Sequence, residues 1–443
     1  MIAASGRFLW ERRVMPLTIG LGLLALAIGS VVAVTKPELV IGIAAAGAAV
    51  MIAFVSPASG LRILMISAMA GGLSAETSFG NLRLDQAVVL PIFAGVIGRR
   101  LVDRQARSSG SRVAPLIFFA AAYLAMNLVT SLVVAPVPLL SLRIVLWLGL
   151  SGLALLVTIL VIPLYIDGRR ALVELTAIGA AAALLGAVTY FLGIAGILTF
   201  GTQVDPVSGA LSAKGTFLEA NILGSFSAAM TVLAVGLAVF DEGLSRRARL
   251  WMVSFAIVSA VACLSSLTRA AWLGVAVGFA VEAVIGFRAF PRPKMAGRAV
   301  TAGVALSGVI VLLGLAPTLL DRTSSLLTDS TGSVAFRLER YRLALNEWSH
   351  APLIGLGTNS FGQRHLDPTQ GFRPDYLGGL GIATLYDVGV LGMVFLGAIF
   401  LVLGARLLRS LSRRSDPSIR AAAVAGFGAV GSLLVSYQAT NAF

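Results

Sequence analysis

The chain has 443 residues, 58% of them hydrophobic and 12% charged, with a mean hydropathy of +0.93. A water-soluble domain keeps roughly a quarter of its residues charged, so this composition excludes an ordinary soluble enzyme. The formal charge of +14 is spread between apolar runs of about 20 residues, the length that crosses a bilayer.

Inside hydrocarbon every backbone N–H and C=O needs a partner within the protein, which leaves helices or a closed barrel. The runs are rich in Leu, Ala, Val and Gly and lack the alternation of barrel strands, so they predict helices. In chain order the spans fall near 14–34, 39–55, 61–75, 86–101, 113–134, 143–165, 171–195, 220–240, 250–267, 270–287, 299–319, 379–403 and 421–442. The first follows Arg7, Arg12 and Arg13 and is too long for a cleaved signal, so it reads as a retained helix. The fold class expected is all-α, a polytopic transmembrane bundle of 12–13 spans. Residues 1–319 form the main bundle, 320–378 a loop domain, and 379–443 the last two spans. Cys263 lies inside a span and reads as a small buried hydrophobe, with no disulfide framework or thiolate metal site around it.

The loops alternate in charge. One set carries the clusters Arg99/Arg100/Arg104/Arg107/Arg112, Arg169/Arg170, Arg246/Arg247/Arg249, Arg288/Arg292/Lys294/Arg298 and Arg406/Arg409/Arg413/Arg414/Arg420. With Arg7, Arg12, Arg13 and Arg62 it holds 23 basic residues against 8 acids, and the other set holds 11 against 12. The positive-inside rule makes the first set cytoplasmic, with the N-terminus inside a bacterial inner membrane. The basic excess is therefore topology and attraction to anionic lipid, not nucleic acid.

Two segments on the opposite, extracytoplasmic side are long: Ala195 to Glu219, and Leu320 to Gly378. Loops of that length carry function or are disordered. The middle of the second, Val334–His350, predicts an amphipathic helix with Tyr341, Leu345 and Trp348 on one face and Glu339, Arg340 and Glu347 elsewhere.

Charge close to a membrane interior is costly and is a functional hypothesis by default. Arg269 interrupts an apolar stretch at a tight outer turn, Ser265–Trp272. It is either a snorkelling interface arginine or an anion ligand. Arg337 opens the loop helix, and Arg340 and Arg342 follow on what reads chiefly as a solvated face. The chain holds 31 Arg and 3 Lys. Base composition enriches arginine, but its planar fork also suits paired diphosphate oxygens. Glu219 and Asn221 stand where the first long loop enters a span, Glu219 as a helix cap or a proton acceptor. His350 and His365 are the only histidines, each more readily solvated than catalytic. No Asp-x-Asp pair or His/Asp/Glu cluster is spaced for a metal, and no Walker loop, dinucleotide fingerprint or nucleophile elbow occurs, so no cofactor is expected.

Three outer segments together resemble the O-antigen ligase/polymerase superfamily. They are Gly215-Thr216-Phe217-Leu218-Glu219-Ala220-Asn221-Ile222-Leu223-Gly224, Thr268-Arg269-Ala270-Ala271-Trp272, and Arg337 followed by Pro352-Leu353-Ile354-Gly355-Leu356-Gly357. The resemblance implies a GT-C-like bundle and transfer of oligosaccharide from an undecaprenyl-diphosphate donor outside the cytoplasmic membrane. It implies Arg269 and Arg337 on the donor diphosphate, with Thr268, Asn221, Arg340 and Tyr341 as candidate substrate contacts. Partners implied are the lipid-linked oligosaccharide, a glycan or lipid acceptor, membrane lipid and a chain-length regulator. Ligases of the family carry a His-Asn pair about eleven residues before a Gly-x-x-Gly, which here is Gly389 and Gly392. The histidine position is Gly378, with Asp375-Tyr376 nearby. This departure favours a polymerase-like member. Arginines would stabilise the departing diphosphate without a metal, and Glu219, Asp375 and His365 are the candidate acceptors of the hydroxyl proton. A transporter of anions or lipid-linked saccharide, and a non-catalytic scaffold, are the rival readings.

Overall fold

The computed structural model describes residues 37–77, 80–103, 113–204, 209–290, 333–367, 373–374, 377–412 and 415–438. The helices expected at 14–34 and 299–319 lie outside the described residues, as does Asp375. The chain is an all-α polytopic bundle. Its helices are α1 (Pro37–Val55), α2 (Pro57–Met69), α3 (Leu84–Val102), α4 (Ala114–Val133), α5 (Pro138–Tyr165), α6 (Gly168–Ile194), α7 (Ala220–Phe240), α8 (Arg246–Ser265) and α9 (Arg269–Ala289). Beyond them come α10 (Ser333–Trp348), the short α11 (Phe361–Arg364), α12 (Leu380–Ser410) and α13 (Pro417–Gln438). Eight of these, α4 to α9 with α12 and α13, are long and apolar enough to cross a membrane. Three two-stranded hairpins decorate the loops: β1 (Ser74–Thr77) with β2 (Gly80–Arg83), β3 (Thr202–Val204) with β4 (Leu211–Ala213), and β5 (Leu366–Asp367) with β6 (Arg373–Pro374).

The pillar of the bundle is α7, whose side chains are buried almost without a break from Leu223 to Phe240. It packs against α8, α9 and α13. Lipid offers no hydrophobic reward for helix contact, so close approach through small residues must supply the packing. On α9 the residues Gly274, Gly278 and Gly286 fall on one face at spacings of four and eight. A Cβ on Gly274 would meet Ser436 Oγ at 2.3 Å, and one on Gly278 the Gly428 carbonyl at 2.9 Å. A second core joins α1, α2, α3 and α5 through Ala53, Leu61, Ile92, Val96, Val157 and Val161.

The two ends of the bundle differ. At one, the arginine clusters are paired: Arg62 grips Glu174 with two bonds of 2.8 and 2.9 Å, and Arg170 adds a third at 2.9 Å. Arg169 pairs with the buried Asp241 at 2.7 Å, and Asp103 accepts from Arg99 and from Tyr165. The opposite end gathers the hairpins, α10 and the glycine-rich loop that follows it.

That loop closes on a broken helix. Within α12, Gly389 takes φ 65° and ψ −165°, which interrupts the helical ladder. The freed groups find partners in the Pro352–Gly357 segment. Leu356 N–H donates to the Tyr386 carbonyl (2.7 Å) and Gly357 N–H to the Asp387 carbonyl (3.0 Å). Below the break, Val390 and Leu391 N–H donate to the Pro352 and Leu353 carbonyls at 2.9 and 3.2 Å. Gly355 (φ 74°) must carry no side chain, since a Cβ there would lie 2.6 Å from the α12 backbone. The contact gives a physical reason for both glycine motifs.

Gly355→Ala and Gly389→Ala should each destabilise the protein by at least about 1–2 kcal/mol, the cost of a left-handed backbone with a Cβ. Backbone overlap adds to that cost. Gly397, with nothing within 4 Å of its Cβ position, should tolerate alanine. Thermal unfolding in detergent measures all three, and equal melting temperatures would remove the constraint.

Candidate functional site

The first wall of the site is the entry into α7. Thr216 Oγ1 donates to the Met69 carbonyl (2.6 Å) and the Thr216 carbonyl accepts from Gly72 N–H (2.7 Å), which fixes the loop. Gln203 Oε1 caps the helix by accepting from Ala220 N–H at 3.1 Å. Glu219, the N-cap residue in extended conformation, leaves that capping to Gln203 and bonds the Asn221 side chain instead. The α8–α9 turn sits directly beside it. Leu267 adopts φ 52°, and Thr268 Oγ1 reaches the Ala220 carbonyl at 3.4 Å. Gly224 makes this approach fit, since a Cβ there would stand 2.3 Å from Ser266 Oγ. The structure therefore brings Glu219, Asn221, Thr268 and Arg269 to one place, with Arg269 the first residue of α9.

A run of contacts joins this wall to α10. The Ala270 carbonyl accepts from Ser436 Oγ on α13, and Gln438 at the end of α13 accepts from Gly381 N–H (3.1 Å). Gly379 lies between the Gln438 carbonyl and the Tyr341 hydroxyl, and Tyr341 donates to the Gly378 carbonyl. Burial pushes the Tyr341 phenol up, and the Arg337 charge one turn earlier works against it. Arg269 and Arg337, 68 residues apart in sequence, thus belong to the same end of the bundle.

The loop helix differs in one face from the expectation. Leu345 is exposed, and Ala344 instead is buried with Leu356, Phe361 and Tyr386 while Trp348 packs alongside. The less exposed side of the helix carries Arg337, Arg340, Tyr341, Ala344, Glu347 and Trp348, with Arg342 exposed. Glu347, assigned to no role by its position in the sequence, is the hub of a second wall, built from α10, α11 and α12. Its Oε1 lies 2.8 Å from His365 Nε2, and its Oε2 accepts from the Tyr386 hydroxyl at 2.5 Å. Asp387, next to Tyr386, accepts backbone N–H bonds from Asn359 and Ser360. The shared face of Arg337, Arg340 and Glu347, spaced at three and seven residues, was the available signal for Glu347. Asp387 carried one as well, an acid inside the apolar run 379–403, whereas Tyr386 gave none. His350, by contrast, is exposed, with its Nδ1 3.2 Å from the Glu347 carbonyl oxygen.

Chemically the site offers guanidinium groups for an anion, and three groups able to hold a hydroxyl proton: Glu219, His365 and Glu347. Burial raises the Glu219 carboxyl, against the Asn221 bond that favours its charged form. A carboxyl raised in the folded state binds its proton more tightly there, so the folded protein is favoured below the unfolded value. That advantage fades as pH rises through the folded value. Glu219→Gln should therefore raise the melting temperature at pH 8 and change it little at pH 4. Equal effects at both pH values would show that Glu219 is not desolvated.

Residues 254–396 match the family described as O-antigen ligase. No curated protein matches the chain. The matched stretch runs from the middle of α8 through Arg269, α10 and the glycine loop to the broken α12, and so includes the α8–α9 turn and the wall around Glu347. Over that domain the chain is similar to the O-antigen ligase family, which supports the resemblance to the O-antigen ligase/polymerase superfamily.

Proposed function

We propose that the protein is a membrane glycosyltransferase that polymerises or transfers oligosaccharide from an undecaprenyl-diphosphate donor on the extracytoplasmic side. The observation that carries this reading is the family match over the segment that bears Arg269, Arg337 and the loop locked into α12. Transfer from a lipid diphosphate needs cations at the leaving group, where charge develops. Arg269 and Arg337 take that role, with Thr268, Asn221, Arg340 and Tyr341 around the saccharide. Gly378 at the position of the family's histidine favours a polymerase over a lipid-acceptor ligase.

One feature favours transport: discontinuous helices line the substrate sites of many transporters. In those sites the unwound backbone is left for the substrate. Here the α12 groups around Gly389 are taken by Pro352–Gly357, which argues for a structural joint.

The decisive experiment incubates purified protein with polyprenyl-diphosphate oligosaccharide and looks for chain extension, with EDTA and with magnesium. Equal activity in both is expected, and a strict requirement for a divalent ion would overturn the arginine mechanism. Lysine keeps the charge but loses the paired bonds, so Arg269→Lys and Arg337→Lys should each lose more than ~10-fold in turnover. Arg342→Lys, on the exposed face, should stay near wild type. Normal turnover in both lysine variants would make these arginines interface anchors.

Orientation has its own test. Cys263 is buried, so labelling reports introduced thiols. Ser349→Cys should react with an impermeant reagent in intact cells and Ser412→Cys only after permeabilisation. The reverse pattern would put the site on the cytoplasmic side.

A further inference from the structure

The contacts of Glu347 decide among the proton acceptors. Both of its carboxylate oxygens are engaged, one by His365 Nε2 at 2.8 Å and the other by the Tyr386 hydroxyl at 2.5 Å. Three elements distant in sequence supply this trio: the last turn of α10, the end of α11 and the upper arm of α12. The imidazole is held from other directions as well. Its ring centroid lies 4.5 Å from that of Phe361, which packs edge-on against Tyr386 at 5.4 Å, and Tyr386 is almost fully buried. His365 itself keeps 27% of its side-chain surface exposed. A half-open imidazole, anchored by a carboxylate on one nitrogen and packed at a tilt against an aromatic ring, has its other nitrogen to work with.

We propose that Glu347 and Tyr386 are positioning residues that hold His365 as the Nε2–H tautomer, so that His365 Nδ1 takes the proton of the attacking sugar hydroxyl. A carboxylate accepts hydrogen bonds and cannot donate them. The nitrogen that faces Glu347 is therefore the protonated one, and Nδ1 carries the lone pair. The arrangement follows the general logic of a base oriented by a third group. Tyr386 satisfies the second oxygen, which stops the carboxylate from rotating away. Arg337 lies on the less exposed side of α10 with Glu347, so one leaving-group cation and the carboxylate that holds the base stand on the same helix.

In the step, the acceptor hydroxyl oxygen bonds to the anomeric carbon of the donor sugar. The bond from that carbon to the diphosphate oxygen breaks, and its electron pair leaves with the polyprenyl diphosphate. The hydroxyl proton passes to His365 Nδ1, and the imidazolium so formed lies against the Glu347 carboxylate until the proton is lost to water. This assignment rests on the glycosyl-transfer reading and replaces Glu219 and Asp375 as the acceptor.

Two measurements test it. The chain has 2 histidines, so nitrogen-15 histidine spectra of the full-length protein resolve both, with His350→Asn assigning the peaks. At pH 8 His365 should show a protonated Nε2 and a bare Nδ1, and Glu347→Gln should mix the tautomers. A protonated Nδ1 in the wild type would overturn the proposal. The second is chain extension. His365→Ala should lose ~10²-fold or more in kcat with donor KM little changed, and added imidazole should restore part of it. Glu347→Gln should lower kcat, and Tyr386→Phe should lower it less, since it spares the Glu347–His365 bond. A wild type that extends chains alongside a fully active His365→Ala removes His365 and leaves the glycosyltransferase standing. A wild type that transfers no sugar removes the reaction itself.

Discussion

Four backbone hydrogen bonds exchanged across Gly389 hold together the end of this protein that carries the candidate site. A helix that breaks near a membrane exposes N–H and C=O groups that cost several kcal/mol each if left unpaired in an apolar setting. Here Pro352–Gly357 lies along the break and satisfies groups on both sides of it. The loop is thereby placed by the helix, and everything the loop carries inherits that placement. Thr358 bonds Asn127 on α4, its carbonyl accepts from Ser141 on α5, and Gln363 reaches back to Ser141 and to Val137 N–H. A segment that reads as a long exposed connection is in fact tied to three spans.

This explains why a polar constellation can persist in a chain with so little charge. The left-handed residues Gly355, Gly357, Gly379 and Asn359 crowd into one region, and each fixes a bend that side-chain packing could not enforce. Backbone strain of this kind needs surroundings that over-determine it. The buried Ala344, Leu356, Phe361 and Tyr386 supply them. The site is a small soluble-type core set on top of a lipid-facing bundle.

The bundle was legible in the sequence because its signal is coarse: apolar length and alternating loop charge. The amphipathic helix expected over Val334–His350 stands at Ser333–Trp348 for the same reason. In the candidate site, Arg269 stood out in the sequence because it falls between two apolar runs. Where the chemistry comes from pairing, the sequence was mute. Glu347 and His365 are 18 residues apart and Glu347 and Tyr386 are 39 apart, and no periodicity links them. Only the return of the chain from the α12 break makes them neighbours. Leu345 misled for a local reason: it competes with Ala344 for the inward position. The smaller residue took it and packs with Leu356, Phe361 and Tyr386.

The position of the break along α12 also sets a height. The helix has 31 residues, about 46 Å at 1.5 Å per residue, against a hydrocarbon layer near 30 Å. The arm from Gly389 to Ser410 alone is long enough to fill that layer. The shorter arm, Leu380 to Val388, is then a post standing in the headgroup region, and the trio around Glu347 is attached to its base. Charged and titrating groups at that level keep their water, while a ligand anchored by a hydrocarbon tail delivers its phosphates to the same plane. A lipid-borne substrate would need to rise no further than its own anchor allows, and a water-borne sugar hydroxyl to sink no deeper than the boundary.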